Sequence, residues 1–524
     1  NQLVSLNYSH AKVPALQPES ELENTLFEQV TMNLGVNFKH TEAKYYDYGS
    51  QRGLPQKYSQ LGPCITTGDM NDDGLEDFFV GGAANQSGKL FFQQANTGFI
   101  ARDLVSGLKP EEDAASVLFD ADGDKDLDLL VAGGSAEFGR SSKYNSCRLY
   151  NNDGKGNFTL NNGWFPGGIS VVSQSVAAAD YDSDGDTDIF IGGRVTPDRY
   201  PEVPRSYLLE NNKGVFTDVT RRVSPALENA GMITAALFTD FNNDKKLDLV
   251  ICGEWMPVRF FENKKGTMVE VTGLKGLTQA KGMWRSLHAV DIDNDGDMDY
   301  IAGNMGLNNK YHVTAEQPMM LYAKDVDKNG SVDIIPAYYI RNNEGELELF
   351  PGIDRNQLSD AVPAVKKKYL LHKEFADLRI EKFVSDYGKD GWTKLTCEQM
   401  QSVWIENLGH GKFATHDLPL QAQVAPINAL LSLDVNDDGN TDLVLAGNEY
   451  EAEVSTGRYD ALYGLVLLGN GKGGFTAVNI LKSGFIIDGD VKCLKLLNVG
   501  GKGKAIVAGI NDDKIGYFLK TAKR

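Results

Sequence analysis

Cysteine is scarce, with five in 524 residues. Five cannot all pair within one chain, and so few exclude a disulfide framework. No run of 18 apolar residues occurs, which excludes a membrane-spanning helix. Basic residues are in deficit, with 52 Lys+Arg against 72 Asp+Glu and a net charge of −20. That balance argues against a nucleic-acid backbone or an anionic lipid surface as partner. The seven histidines (10, 40, 288, 312, 372, 410 and 416) are scattered without metal-ligand spacing. There is no Walker A sequence, no HExxH and no GxSxG elbow. GNGKGG at 469–474 matches GxGxxG, but FTAV follows it, a strand where a dinucleotide site needs a helix. A 41% hydrophobic share is nevertheless enough for a packed core.

What the chain does have is one repeat. An apolar run leads into D-x-[DN]-x-[DN]-x-x-x-D and then a second apolar run ending in Gly. Copies start at Asp69 (DMNDDGLED), Asp120 (DADGDKDLD), Asp180 (DYDSDGDTD), Asp240 (DFNNDKKLD), Asp291 (DIDNDGDMD), Asp325 (DVDKNGSVD) and Asp434 (DVNDDGNTD). An eighth frame near Asn498, LLNVGGKGKAIVAG, has lost the acids. FFVGG, LLVAGG, IFIGG and LVICG follow the loops and read as strands. Hairpins such as CRLYNNDGKGNFTL, SYLLENNKGVFTDV and RFFENKKGTMVEV come next. Four strands in roughly 60 residues is the pattern of a propeller blade.

The spacing predicts an all-β, seven-bladed propeller of four-stranded antiparallel blades, occupying residues 25–524 behind a polar tether at 1–24. LFEQVT near the N-terminus should supply the missing fourth strand of the last blade and close the ring. The steps of 34 and 109 residues around Asp325 break the ruler. They place an insertion at about 304–400, between the second and third strands of the fifth blade, with helical spacing from about Asp354 to Asp386. Eight blades result instead if the Asp325 hairpin starts its own.

Oxygen ligands at alternate loop positions suit one hard cation, Ca²⁺ rather than zinc or copper. The expected side-chain ligands are Asp69, Asn71, Asp73 and Asp77; Asp120, Asp122, Asp124 and Asp128; Asp180, Asp182, Asp184 and Asp188; Asp240, Asn242, Asp244 and Asp248; Asp291, Asp293, Asp295 and Asp299; Asp325, Asp327, Asn329 and Asp333; and Asp434, Asn436, Asp438 and Asp442. The backbone carbonyls of Leu75, Asp126, Asp186, Lys246, Asp297, Ser331 and Asn440 complete the cages. Up to seven structural Ca²⁺ ions follow. Gly at position 6 suits the turn, and Lys125 and Lys245 depart from it. No Glu stands at position 12, so the ligand chemistry is like an EF-hand while the scaffold is a hairpin.

The loop-strand-Gly-Gly units resemble the FG-GAP/VCBS repeats of integrin-type and bacterial surface propellers. LFEQVTMNLGVNFKH, GGRVTPDRYPEVPRSYLLEN, GEWMPVRFFEN and YIAGNMGLNNKY resemble bacterial relatives of the cartilage acidic protein group. The resemblance implies a secreted or cell-surface setting. It further suggests an outer-membrane lipoprotein serving a SusC/SusD-type glycan importer. The expected function is a non-catalytic, calcium-stabilised binding module for a glycan or protein. The alternatives are a lyase-like polysaccharide enzyme and an adhesive or structural partner. The chain reads as a mature product without its signal peptide.

In an antiparallel blade the metal loops share one face. The opposite face should carry Trp164, Arg194, Tyr200, Arg205, Trp255, Trp284 and Arg285. Exposed there, they would stack on and hydrogen-bond a ligand. The competing reading is that these Trp side chains pack between blades.

Overall fold

The computed structural model describes residues 25–521, except 31–33, 96–97, 166, 272–275, 278 and 502. The tether expected at 1–24 lies outside the described residues. The protein is all-β, with eight antiparallel sheets among the described residues, each built on four strands; in the fourth, Gly282–Met283 adds a short fifth. Seven sheets begin with the strands Ile65–Gly68, Asp113–Phe119, Val172–Ala179, Met232–Thr239, Ser286–Val290, Ile427–Leu433 and Val491–Val499. Each of these first strands packs on the first strand of the next sheet, and the seventh packs back on the first. The chain therefore forms a propeller ring around an axis lined by first strands. The glycines that end the second strands permit this closeness. A Cβ at Gly192 would stand 2.6 Å from Ile233 of the next sheet, and one at Gly303 would stand 2.4 Å from the Ile427 carbonyl.

Closure uses both chain ends. Phe27–Gln29 pairs antiparallel with Gly516–Lys520, the third strand of the last sheet. Phe27 is 1% exposed and packs on Phe485, with Phe518 in the same apolar cluster.

In the fifth sheet the chain leaves after Asp299–Gly303 and returns at Val403–Asn407. Between them, Met319–Lys324, Asp333–Arg341, Leu347–Pro351 and Thr393–Cys397 form the eighth sheet. The Asp325 hairpin thus does start a sheet of its own, but the inner-strand cycle closes without it. Helices Arg355–Ala361, Ala364–Lys368, His372–Ala376 and Ile380–Asp386 bury Leu358, Val365, Phe375, Ile380 and Phe383 against this sheet. Cys397 ends the sheet's last strand, buried, and all five cysteines are free thiols.

Residues 34–63 have no counterpart in the repeat. They run across the ring face opposite the acidic loops, through a short helix at Asp47–Ser50. Asp47 holds this segment together, accepting from the N–H groups of Tyr58 (2.7 Å) and Ser59 (3.0 Å). No described helix is long and apolar enough to cross a membrane.

Candidate metal centres and the opposite face

Each acidic loop joins the first strand of its sheet to the second, and all seven share one internal geometry. They do not all share one face as expected: the Asp325 loop lies in the inserted sheet and meets the opposite face, where Val332 O accepts from Gln51 Nε2 at 2.9 Å and Gly330 O from Arg199 Nη1 at 3.2 Å. The first Asp accepts the N–H of position 6 on Oδ2 at 2.7–3.1 Å, in Asp69, Asp120, Asp180, Asp240, Asp291, Asp325 and Asp434. The position-5 side chain accepts the N–H of position 7 at 2.8–3.1 Å. These bonds curl the backbone and bring carboxylates of positions 1, 3 and 9 together in the Asp120, Asp180 and Asp325 loops, and of positions 1, 3 and 5 in the Asp291 loop. The curl needs left-handed backbone at position 6, where Gly185 has φ +100° and Gly439 φ +85°. Lys125 and Lys245 adopt it as well, at φ +79° and +67°, with the strain a Cβ brings.

The last Asp of each loop is the most constrained. Asp77, Asp128, Asp188, Asp248, Asp299 and Asp442 are 0–1% exposed. Each accepts the position-2 N–H on Oδ2, and its other oxygen accepts a third-strand N–H at 2.7–2.8 Å. Burial, reinforced by the acids beside them, pushes these carboxyls up. Asp77, Asp188, Asp248 and Asp299 reach about 7, and Asp128 and Asp333 about 6. Asp442 is raised as well.

A divalent cation fits this donor set. Asp120, Asp122 and Asp128 bring carboxylate oxygens within 4.8 Å of one another, as do Asp180, Asp182 and Asp188, Asp291, Asp293 and Asp295, and Asp325, Asp327 and Asp333. Asp293 Oδ1 is buried with no hydrogen-bond partner, as an oxygen meant for a cation would be. The loops at Asp69, Asp240 and Asp434 have Asn71, Asn242 and Asn436 at position 3, so an amide oxygen replaces one carboxylate there.

One recurrent residue escaped the sequence reading. The side-chain amides of Asn152, Asn211, Asn263 and Asn407, on or just after third strands, donate to Met70, Ala121, Tyr181 and Phe241 carbonyls in the preceding sheet's loop, at 2.6–2.9 Å. Their own N–H groups bond the last Asp of their own loop. Four of the seven acidic loops, those at Asp69, Asp120, Asp180 and Asp240, are therefore tied to the next sheet. The signal was present in YNNDG, LENN, FENKK and IENLG, where an Asn recurs before the turn.

The opposite face corrects an expectation. Trp164, Trp255, Trp284, Arg194 and Tyr200 are at most 5% exposed and are not presented to solvent. Trp164 meets Phe216 edge-on at 5.5 Å, between the second and third sheets. Trp284 fills the seam between the fourth and fifth sheets, beside Phe260 and Tyr300. These indoles are wedge fillers where neighbouring sheets diverge from the axis. Arg205 is partly exposed, but it is engaged by Asp218 at 2.5 Å and Glu228 at 3.3 Å.

The other four belong to a buried polar network sealed by residues 34–63. Glu254 accepts from Arg194 Nη2 at 2.5 Å, Tyr58 Oη at 2.7 Å and Tyr200 Oη at 3.3 Å. Burial lifts the Glu254 carboxyl, but Arg194 and Arg285 overcome this and hold it below its ordinary range. Trp255 Nε1 donates to Tyr200 Oη, and the Arg194 guanidinium lies 4.8 Å from the Tyr58 ring centre. Arg285 is bonded to Gln56. Burial followed from a strap that no repeat-based reading could place. Trp255 also sits at φ +61°, a strained conformation for a bulky residue.

Comparison with known proteins adds a family match and distant structural likenesses. No curated protein matches the chain. Among solved structures, the Dos1 propeller is 9% identical, with 94% of this chain and 96% of that one covered and a TM-score of 0.38. An Agrocybe aegerita lectin, described as recognising non-reducing terminal N-acetylglucosamine, is 14% identical, with 85% of each chain covered and a TM-score of 0.37. The V. cholerae biofilm matrix protein Bap1 is 10% identical, with 93% of this chain and 91% of that one covered and a TM-score of 0.35. A family model described as an FG-GAP-like repeat matches residues 120–191 and 240–302, and both windows open on the first Asp of an acidic loop. The chain is a β-propeller carrying FG-GAP-like repeats.

Proposed function

We propose that this protein is a calcium-stabilised, non-catalytic binding module at a bacterial cell surface. It captures a glycan or protein ligand on the face opposite the acidic loops, as an accessory to an outer-membrane importer of the SusC/SusD type. Kinship with the bacterial relatives of the cartilage acidic protein group is part of this reading. The observation that carries it is the repetition of the loops. Six copies of one cation-ready loop stand at equivalent strand ends of the ring and a seventh in the inserted sheet, each complete by itself, and they do not converge on one cleft. Ions held this way brace a scaffold. Calcium sites of extracellular modules work at about 10⁻⁴–10⁻³ M, which matches the outside of a cell.

The buried indoles and Arg194 are framework for that face. Contact with a ligand falls to partly exposed groups within the insertion, such as Lys310, which lies 5.6 Å from the Tyr311 ring centre and 5.8 Å from that of Tyr338. A glycan array with calcium-loaded protein tests capture, with Lys310→Ala and Tyr311→Ala as variants. Binding that both variants leave intact removes the site from this face. Ultraviolet absorbance of unsaturated products from acidic polysaccharides would instead establish a lyase.

A further inference from the structure

The axis of the ring holds a cavity of about 230 Å³, just below the roughly 300–1,000 Å³ common for small-molecule sites. All seven first strands line it. At one end it is stopped by Gln56 and Leu61 of the crossing segment, both at most 3% exposed. Toward the acidic-loop face the lining strands become half-buried, through Thr67, Val117, Ala178, Leu237 and Ala289. Solvent therefore enters from the acidic-loop side into a blind funnel.

The charge of this funnel opposes that of the protein. In a chain of net charge −20 the lining carries three cations, Arg285, Lys492 and Lys495, against one carboxylate, Glu449. Two of the cations are engaged. Lys492 lies 2.9 Å from Asp490 and 3.4 Å from Glu449, and Arg285 lies 3.6 Å from Glu449. Lys495 differs. It is exposed to the funnel's solvent, and no acid among the described residues lies within ion-pair distance of it. Burial, with Lys495 as a smaller contribution, pushes His288 down to about 4. Lys495 stands on the seventh sheet and lines the cavity together with Arg285, Ser286 and Leu287 of the fifth.

We propose that this funnel is a binding site for a small organic carboxylate. The ligand enters from the acidic-loop face and its carboxylate pairs with Lys495. Cations bound in the acidic loops would lessen the rim's repulsion of such an anion. The hydroxyl and amide groups of Ser175, Gln174 and Asn428 would meet the rest of the ligand. The site is separate from the face assigned to glycan or protein capture, and neither depends on the other.

Calorimetric titration of the calcium-loaded protein with glucuronate, glucose and lactate tests this. Glucuronate should bind and glucose should not. Lactate binding as well as glucuronate supports a site for simple acids, and lactate binding far more weakly supports a sugar acid. Lys495→Ala should weaken glucuronate by about 10- to 100-fold, the loss of one charge-assisted contact. Lys495→Arg should retain most of the affinity, with the melting temperature of both variants unchanged because the side chain is exposed. Absence of glucuronate binding, equal binding of glucose, or full affinity in Lys495→Ala would each overturn the proposal. The last outcome would place the carboxylate on the loop calcium ions.

Discussion

Asp188 is the most direct test of whether the acidic loops hold cations. Its carboxylate is 0% exposed and accepts from Tyr181 N at 3.2 Å and Asn211 N at 2.8 Å. Burial, with Asp182 and Asp184 nearby, raises it to about 7. Without a cation, the sign follows from that rise. The folded state holds this proton more tightly than the unfolded chain, so stability is fullest below the unfolded value near 3.8 and falls as pH climbs through about 7. Ionising it in the folded protein costs about 4 kcal/mol, from 1.36 kcal/mol per unit of pKa. A bound calcium takes over the charge and removes that loss. At a hundredfold excess over Kd each ion adds about 2.7 kcal/mol. For roughly 500 residues, an unfolding entropy of about 2.1 cal/mol/K per residue converts this to about 2.5 °C per site, so seven filled sites raise Tm by roughly 15–20 °C. The assay is scanning calorimetry from pH 5 to 8, in calcium and in EDTA. Tm should fall with rising pH in EDTA and stay level in calcium. Asp188→Asn cannot accept both amide bonds and loses a ligand, so it should cost more in calcium than in EDTA. Curves that coincide in calcium and EDTA at every pH would refute the cage reasoning.

Other expectations follow from the same geometry. Lys125→Gly and Lys245→Gly relieve left-handed backbone and should each gain up to about 1 kcal/mol in denaturant unfolding; a loss in both would show that these side chains matter more than the strain. Asn263→Ala leaves the Tyr181 and Leu247 carbonyls, now bonded at 2.6 and 3.0 Å, without a partner, and should lower the urea midpoint by the equivalent of about 2–4 kcal/mol. Trp284→Ala, at 0% exposure, should destabilise by about 3–5 kcal/mol, and an unchanged Tm would contradict its role as a wedge filler. Deleting residues 25–30 removes the strand that completes the last sheet and should broaden the unfolding transition; a single, unshifted transition would mean that closure does not depend on it.

The local architecture was legible because it is written in short-range pattern. The spacing of Asp180, Asp182, Asp184 and Asp188 and the β-branched runs after each loop specify a hairpin with clustered carboxylates whatever surrounds it. Repetition of that unit, the broken ruler around Asp325 and the LFEQVT strand at the start were enough to specify a closed ring with an insertion. The Asn that ties four of the loops to the next sheet was visible in YNNDG and FENKK but carried no meaning until the sheets were placed side by side.

Exposure was not legible. Whether Trp255, Tyr200 and Arg194 meet solvent depends on what covers them, and the cover is residues 34–63, which share no pattern with the repeat and bind through contacts far apart in sequence, such as Tyr58 with Glu254. The same holds for the axial cavity, where Lys495 and Arg285 line one space only because a ring brings the fifth and seventh sheets to one axis. The sequence by itself determined the repeat, its hairpins and the acidic spacing of its loops, since these depend on pattern within a few residues. Only the tertiary structure decided which side chains are buried wedges and which face the funnel, because burial and net charge along an axis are properties of packing between distant segments.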